Sequence, residues 1–229
     1  SQTFTDYELL LVDNASTDDS TIIARELARQ DHRIRLLREK RPGIVPALNT
    51  GLAQARAACI ARMDADDIAY PERLKTQLEY LEKNRDIIVC GSSYDLIDEK
   101  GNTIKRQILP SSDGHIRKKM LWGNPICHPS VMLRRNAVVE EGGYLGGKHA
   151  EDYDLWLRLA MGQKWRFANL SMPLLSYNVS SNGSARKSRV AYANTAAAQL
   201  RQFLITRDFR WLIGAMITAG KSFFSAIRL

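Results

Sequence analysis

The chain has 229 residues, 45% of them hydrophobic and 25% charged. That is enough for one large or two modest domains around a buried core, and it excludes a small stapled scaffold, a disordered chain, a collagen-like repeat and a multi-span membrane protein. The net charge of +8 is unevenly placed, because residues 186–229 carry eight Lys or Arg against Asp208 alone, net +7, which leaves +1 for residues 1–185. A near-neutral body with one cationic end fits an anionic membrane surface at least as well as a nucleic acid. Cys59, Cys90 and Cys127 are an odd, widely spaced set without a C-x-x-C pair, so they suggest neither a disulfide framework nor a zinc site, and a reducing compartment is expected.

Residues 1–6 are polar and the apolar run 9–12 is too short for a signal-peptide core, so no leader is expected. Residues 7–12 read as a strand, 13–18 as a polar turn and 20–30 as an amphipathic helix. The pattern repeats with a strand at 34–37, a helix at 46–58, a strand at 59–63 running into an acidic turn at 64–67, a helix at 71–84 and a strand at 87–90. Pro46 and Pro71 stand where a first helical turn tolerates proline. Such alternation predicts an α/β fold with a mostly parallel sheet flanked by helices, whose ligands collect at the carboxyl ends of the strands. Beyond Gly91 the rhythm becomes mixed: strands at 104–109, 130–134, 165–168 and 174–177, helices at 115–122 and 152–161, and a glycine and serine loop at 180–184. The remainder is helical. Its longest weakly charged stretch, 211–220, is half of the ~20 residues needed to cross a bilayer.

Asp64, Asp66 and Asp67 crowd the end of an apolar strand and repel one another unless a cation lies between them. All-oxygen sets of this kind suit Mg²⁺ or Mn²⁺; a solvated loop with a helix-capping aspartate is the plainer alternative. A second acidic group, Glu151, Asp152 and Asp154, opens a helix, where the helix dipole alone would favour it. Together, a metal-binding carboxylate set and a separate carboxylate are what displacement of a phosphorylated leaving group requires.

Several dispersed motifs occur in order: Gln2-Thr3-Phe4 with Val12-Asp13-Asn14-Ala15-Ser16; Pro42-Gly43 with Ala47-Leu48-Asn49-Thr50-Gly51; Asp64-Ala65-Asp66-Asp67; Pro71-Glu72-Arg73-Leu74; His128-Pro129-Ser130 with Arg134; Gly142-Gly143-Tyr144; and Glu151-Asp152-Tyr153-Asp154-Leu155-Trp156. Over residues 1–185 the chain resembles the family 2 inverting glycosyltransferases. The resemblance implies a GT-A, Rossmann-like fold with a nucleotide-binding half (1–91), a mixed acceptor-binding half (92–185) and a basic amphipathic helical tail (186–229). It implies transfer of a sugar from a nucleoside-diphosphate sugar, with inversion, to a hydroxyl of a glycan or lipid-linked acceptor, in surface polysaccharide biosynthesis at the cytoplasmic side of the cell membrane. By the same resemblance Asp13 contacts the base, Asp64 and Asp66 hold the ribose side and a divalent cation, with Asp67 close by, and Asp152 is the general base. Asn49, His128, Gly143 and Glu151 are further candidates for the substrate pocket, each with a plain structural alternative: a turn or cap for Asn49, a packed ring for His128. Trp156 reads as core.

Two departures from the family pattern stand out. Relatives carry a first strand ahead of the Gln-Thr stretch, so an amino-terminally incomplete sequence is expected. Where relatives have Tyr-Arg-x-His, this chain has Tyr177-Asn178-Val179-Ser180, without either cationic side chain, and Arg186 or Lys187 could substitute only by loop movement. In the tail, Arg210, Gly214, Thr218, Lys221, Ser225 and Arg228 recur as a polar or small stripe, opposite Leu212, Ile213, Met216, Ile217, Phe223, Phe224 and Ile227. That pattern suits a helix lying in a membrane interface or one packed on its own domain. The alternatives to a glycosyltransferase are a nucleotidyltransferase, which would call for an early glycine-rich phosphate loop that is absent, and a non-catalytic nucleic-acid-binding or scaffold protein using the tail. Nucleic acid is not the expected partner.

Overall fold

The structure is a computed structural model and describes residues 1–146, 149–162, 164–179 and 188–224. The apolar run near the start forms β1 (Leu9–Asp13), which pairs in parallel with β2 (Ile34–Arg38), Leu9 opposite Ile34 through Asp13 opposite Arg38. The crossover between them is α1 (Ser20–Gln30), whose Ile22, Ile23 and Leu27 stay exposed. A second crossover element, α2 (Ile44–Gln54), starts two residues ahead of Pro46, so that the proline occupies the first turn, where no intrahelical N–H is needed. Gly43 makes this entry with φ 121°, a region that disfavours side chains, and its N–H donates to Asn14 Oδ1 (2.7 Å).

The larger sheet has the order β3 (Cys59–Ala61), β7 (Met132–Arg134), β5 (Ile87–Ile97), β8 (Arg166–Asn178), β4 (Ile68–Ala69), with β6 (Thr103–Gln107) pairing to β5 beyond this path. Here the expectation of a mostly parallel sheet needs correction. Among the described strands only β1 with β2 and β5 with β8 run parallel, and β3–β7, β5–β7, β5–β6 and β4–β8 are antiparallel. The residue pattern of a strand encodes which face is buried and not which way the strand runs. The three residues of β7, inserted reversed between β3 and β5, carry no signal of direction. Two strands are also longer than their apolar runs. β5 continues through Gly91, Ser92 and Ser93 because these small residues are buried, Ser92 N–H donating to Ser130 Oγ (3.1 Å). β8 fuses the two short strands read at 165–168 and 174–177, with register irregularities along the way.

The central strand β5 is buried on both faces. Ile87 and Cys90 join Leu81 of α3 (Arg73–Lys83), Met132 and Ala168 in one cluster, while Ile88 and Val89 join Trp156, Leu155 and Leu159 of α6 (Glu151–Met161), with Ile116 of α4 (Asp113–Met120) and Val138 of α5 (Arg135–Glu140), in the other. Two fully buried polar residues fasten α3 to the strand ends. Arg73 Nη2 donates to the Arg62 and Val131 carbonyls (2.7 and 3.2 Å), and Gln77 Nε2 donates to those of Cys90 and Ser130 (2.6 and 2.9 Å). Burial pulls the Arg73 guanidinium down to about 10, which still leaves it charged near neutral pH. These bonds set the height of the acidic turn, because Arg62 lies at its entry.

After β8, α7 (Arg189–Thr206) and α8 (Phe209–Phe224) form a hairpin through Arg207, which takes the left-handed conformation. Arg201 of α7 pairs with Asp154 of α6 (2.6 Å), and Gln199 Nε2 donates to the Leu121 carbonyl (3.0 Å). The polar or small stripe of the tail helix is split, with Arg210 and Lys221 exposed. Gly214 and Thr218 are buried, and a Cβ built on Gly214 would lie 2.3 Å from the Leu121 carbonyl oxygen. The small side chains let α8 approach the body closely, Trp211 packs on the core, and Ile213, Met216, Ile217 and Phe223 stay exposed. The readings on 180–184, Ser180, Arg186, Lys187, Ser225, Ile227, Arg228 and the Phe224 side chain lie outside the described residues. Among the described residues no helix is long and apolar enough to cross a membrane.

Replacing Gln77 by Leu strips two buried carbonyls of their donor, and an unsatisfied buried acceptor costs about 1–3 kcal/mol. We expect Gln77→Leu to lower Tm by about 4–10 °C, given roughly 2–4 °C per kcal/mol for a chain of this length. Glu79→Gln, exposed on the same helix, should leave Tm within about 2 °C.

Candidate active site

Two chain segments far apart in sequence meet in one cleft of about 520 Å³. Asp64 and Asp66 line it from the turn after β3, Glu151 and Asp152 from the first turn of α6, and His128 from the short 3₁₀ turn before β7. Tyr177 and Asn178 at the end of β8 and Tyr192, Thr195, Thr218 and Lys221 of the hairpin contribute to another wall. The tail is therefore part of the cleft.

The acidic turn is shaped by its neighbours. Arg62 and Asp64 are two residues apart on extended backbone and so share a side. The Arg62 guanidinium grips Asp64 with both nitrogens, Nη1 donating to Oδ2 at 2.7 Å and Nη2 to Oδ1. Asp67 is buried; its Oδ1 accepts the Asn178 backbone N–H (3.0 Å), and its Oδ2 is buried without a partner. Burial first, then the Asp64 and Asp66 charges, push the Asp67 carboxyl up to about 6. One ligand atom from each of Asp64, Asp66 and Asp67 lies within 4.8 Å of the others. An oxygen-only set with one partnerless buried carboxylate oxygen fits a hard divalent cation such as Mg²⁺ or Mn²⁺.

Asp152 is held from two sides. Asn124 Nδ2 donates to Oδ2 (2.6 Å), and the Tyr153 backbone N–H donates to Oδ1 (2.7 Å). Desolvation and the neighbouring Glu151 charge outweigh these bonds and push its carboxyl up to about 6. The Glu151 Oε2 is buried without a partner. The third acid of that turn, Asp154, is turned away into ion pairs with Arg158 (2.9 Å) and Arg201 (2.6 Å).

The other sequence candidates divide. His128 lines the cleft and is also packed: its Nε2 lies 3.0 Å from the Tyr144 hydroxyl, and its ring meets the edge of the buried Trp156. Asn49 is not among the cleft-lining residues. Its amide clamps the Tyr144 backbone, Nδ2 donating to the carbonyl and Oδ1 accepting the N–H, both at 2.9 Å. Gly143 supports this clamp with φ 71°; a Cβ there would lie 2.6 Å from Asn49 Oδ1. Asn49 and Gly143 thus position Tyr144 and, through it, His128. Asp13, at the end of β1, is likewise not among the cleft-lining residues; Ser16 N–H and Thr21 Oγ1 bond its two oxygens and hold its pKa down. Arg62 and Asn124 are cleft residues that the sequence reading did not name, and Lys221, named only in the stripe of the tail, lines the cleft as well. Arg62 could have been found from its i, i+2 relation to Asp64, whereas Asn124 and Lys221 carry no local signal.

A family model described as Glycosyl transferase family 2 matches residues 1–143. The chain is 35% identical over 210 residues to the O-antigen biosynthesis glycosyltransferase WbnJ of Escherichia coli, covering 90% of this chain and 81% of that one. It is 38% identical over 122 residues to the amylovoran biosynthesis glycosyltransferase AmsE of Erwinia amylovora, covering 53% and 45%. Among solved structures it is similar to the mannosyltransferase PcManGT from Pyrobaculum calidifontis in complex with GDP-Man and Mn²⁺, with TM-score 0.61, 20% identity, and coverage of 96% of this chain and 66% of that one. At that identity the likeness is one of fold.

Asp67 supplies a test that needs no substrate. Its folded value of about 6 lies above the ordinary 3.8, so the stability linked to it is present below about pH 4 and lost as pH rises through 6. In the presence of chelator, Asp67→Asn should therefore be more stable than the parent at about pH 8, by about 1 kcal/mol, and equal to it at about pH 4. Added Mn²⁺ should raise Tm for the parent and not for the variant; equal Mn²⁺ stabilisation of both would remove Asp67 from the cation set.

Proposed function

From a chain that belongs to glycosyl transferase family 2, with the α/β GT-A fold, we infer an inverting, cation-dependent transferase that moves a sugar from a nucleoside diphosphate to a hydroxyl of a glycan or lipid-linked acceptor. Its place in surface polysaccharide assembly is suggested by the names of the relatives WbnJ and AmsE, and a nucleotide-sugar donor by the GDP-Man bound to PcManGT. The observation that carries the reading is that Asp152 and the Asp64 to Asp67 turn line one cleft.

In this reaction the bond between the anomeric carbon and the diphosphate oxygen breaks as the acceptor oxygen bonds to the opposite face of the sugar. An alcohol is a poor nucleophile at neutral pH, so its proton must pass to a base as the new bond forms. Asp152 has the attributes of that base. Its carboxylate is fixed by Asn124 and the Tyr153 N–H, and its value of about 6 leaves it ionised yet usefully basic near pH 7. The departing diphosphate gathers negative charge, and a divalent cation held by Asp64, Asp66 and Asp67 would stabilise that charge where it develops. Arg62, locked to Asp64, adds fixed positive charge beside the same turn and counters the repulsion among the carboxylates. His128 in the cleft wall is held by the buried Tyr144 behind it, which gives the cleft a rigid surface at that point.

Asp152→Asn keeps the shape, removes the base and relieves the clash with Glu151. We expect turnover with nucleotide sugar and acceptor to fall by about 10³-fold or more, with Tm at about pH 7.5 unchanged or slightly raised. For the parent, kcat/KM should rise with pH through about 6 and then level off. A profile flat from about pH 5 to 8, or an active Asp152→Asn, would overturn the assignment of the base.

A further inference from the structure

We propose that the α7–α8 hairpin is a lipid-docking surface that seats the cleft against an anionic bilayer. The observation is the orientation of α8. Phe209, Ile213, Met216 and Ile217 fall within one ~120° sector of the helix, and all four are exposed, from 45% for Ile213 to 68% for Phe209. Leu200 and Leu204, one turn apart on α7, are also exposed. Helices normally bury this side. Here the inward side is formed by Gly214, Ala215 and Thr218 together with the half-buried Trp211, which packs on the core, so the body of the protein has already selected its contact and the apolar row remains for something else.

The charge distribution identifies the occupant. The described hairpin, residues 188–224, holds Arg189, Arg201, Arg207, Arg210 and Lys221 against Asp208 alone, with Arg201 paired to Asp154 and Arg210 to Asp208. A second copy packed face to face would bring two such segments together, whereas an anionic headgroup layer meets them with opposite charge. Arg210, which also pairs with Asp208 (2.6 Å), and Lys221, which also lines the cleft, are about three helical turns apart and border the apolar row on one side, where exposed basic side chains would lie near headgroups as the row enters the acyl boundary. The same hairpin walls the cleft through Tyr192, Thr195, Thr218 and Lys221. Docking would hold the cleft mouth at the membrane surface, where an acceptor sugar carried on a lipid is presented. That last step rests on the transferase reading; the docking surface does not.

The test is co-sedimentation of the full chain, without nucleotide sugar, with vesicles of phosphatidylglycerol and phosphatidylcholine and with vesicles of phosphatidylcholine alone. We expect binding to the mixed vesicles, weakened at about 0.5 M salt. It should be at least about tenfold weaker in the triple variant Ile213→Gln, Met216→Gln, Ile217→Gln, whose Tm should stay within about 2 °C of the parent because these side chains are exposed. Absence of binding by the parent, equal binding by the variant, or equal binding to uncharged vesicles would overturn the proposal. A parent that is dimeric, with a monomeric triple variant and no vesicle binding by either, would assign the face to a second copy instead. Because no transfer is measured, an inactive Asp152→Asn that still binds vesicles separates the two readings.

Discussion

Like-charge repulsion is the constraint around which this molecule is arranged. Asp64, Asp66, Glu151 and Asp152 face one cleft and Asp67 lies buried beside it; two of the five, Asp67 and Asp152, are pushed up to about 6 by burial and by their acidic neighbours. A fold without function would disperse such a set, since each desolvated carboxylate disfavours the compact state at neutral pH. The chain instead keeps it together with fixed positive charge and oriented donors: Arg62 on Asp64, the Asn178 N–H on Asp67, Asn124 and the Tyr153 N–H on Asp152. What remains without a partner, Asp67 Oδ2 and Glu151 Oε2, is a demand that a bound cation or polar ligand would meet.

That arrangement is possible because the scaffold below it is rigid. β5 is covered on both faces, and Arg73 and Gln77 turn the base of the acidic turn into a hydrogen-bonded joint between α3, β5 and the start of β7. On the opposite side, Asn49 and Gly143 hold Tyr144, and Tyr144 holds His128. Residues that look like ligand contacts in the sequence thus work one step back from the cleft, where they set the position of residues that do face it.

The hairpin changes the picture of the carboxyl-terminal part. By composition it is a basic appendage, yet Arg201 bridges to Asp154 on the helix that carries Asp152, and Tyr192, Thr195, Thr218 and Lys221 close the cleft. The tail therefore meets the site both through α6 and directly, as part of the cleft lining. Any partner that binds the outer face of the hairpin acts on the wall of the cleft as well.

Much was readable from residue order. The apolar runs and their turn residues located β1, α1, β2, α3 and the core of β5, and the acidic clusters at element ends pointed to Asp64, Asp66, Asp67 and Asp152, because charge crowding and secondary-structure periodicity are local properties. Strand direction, the reversed insertion of β7 and the fusion of β8 were not readable, since alternation reports burial and not polarity of the chain. Neither were the partners Asn124 for Asp152 and Asn178 for Asp67, which come from distant segments with no periodic signature. The orientation of α8 was left open: an amphipathic pattern identifies two faces, but which of them turns inward depends on how closely the neighbouring backbone approaches, and the Leu121 carbonyl leaves room at Gly214 only for a residue without a side chain.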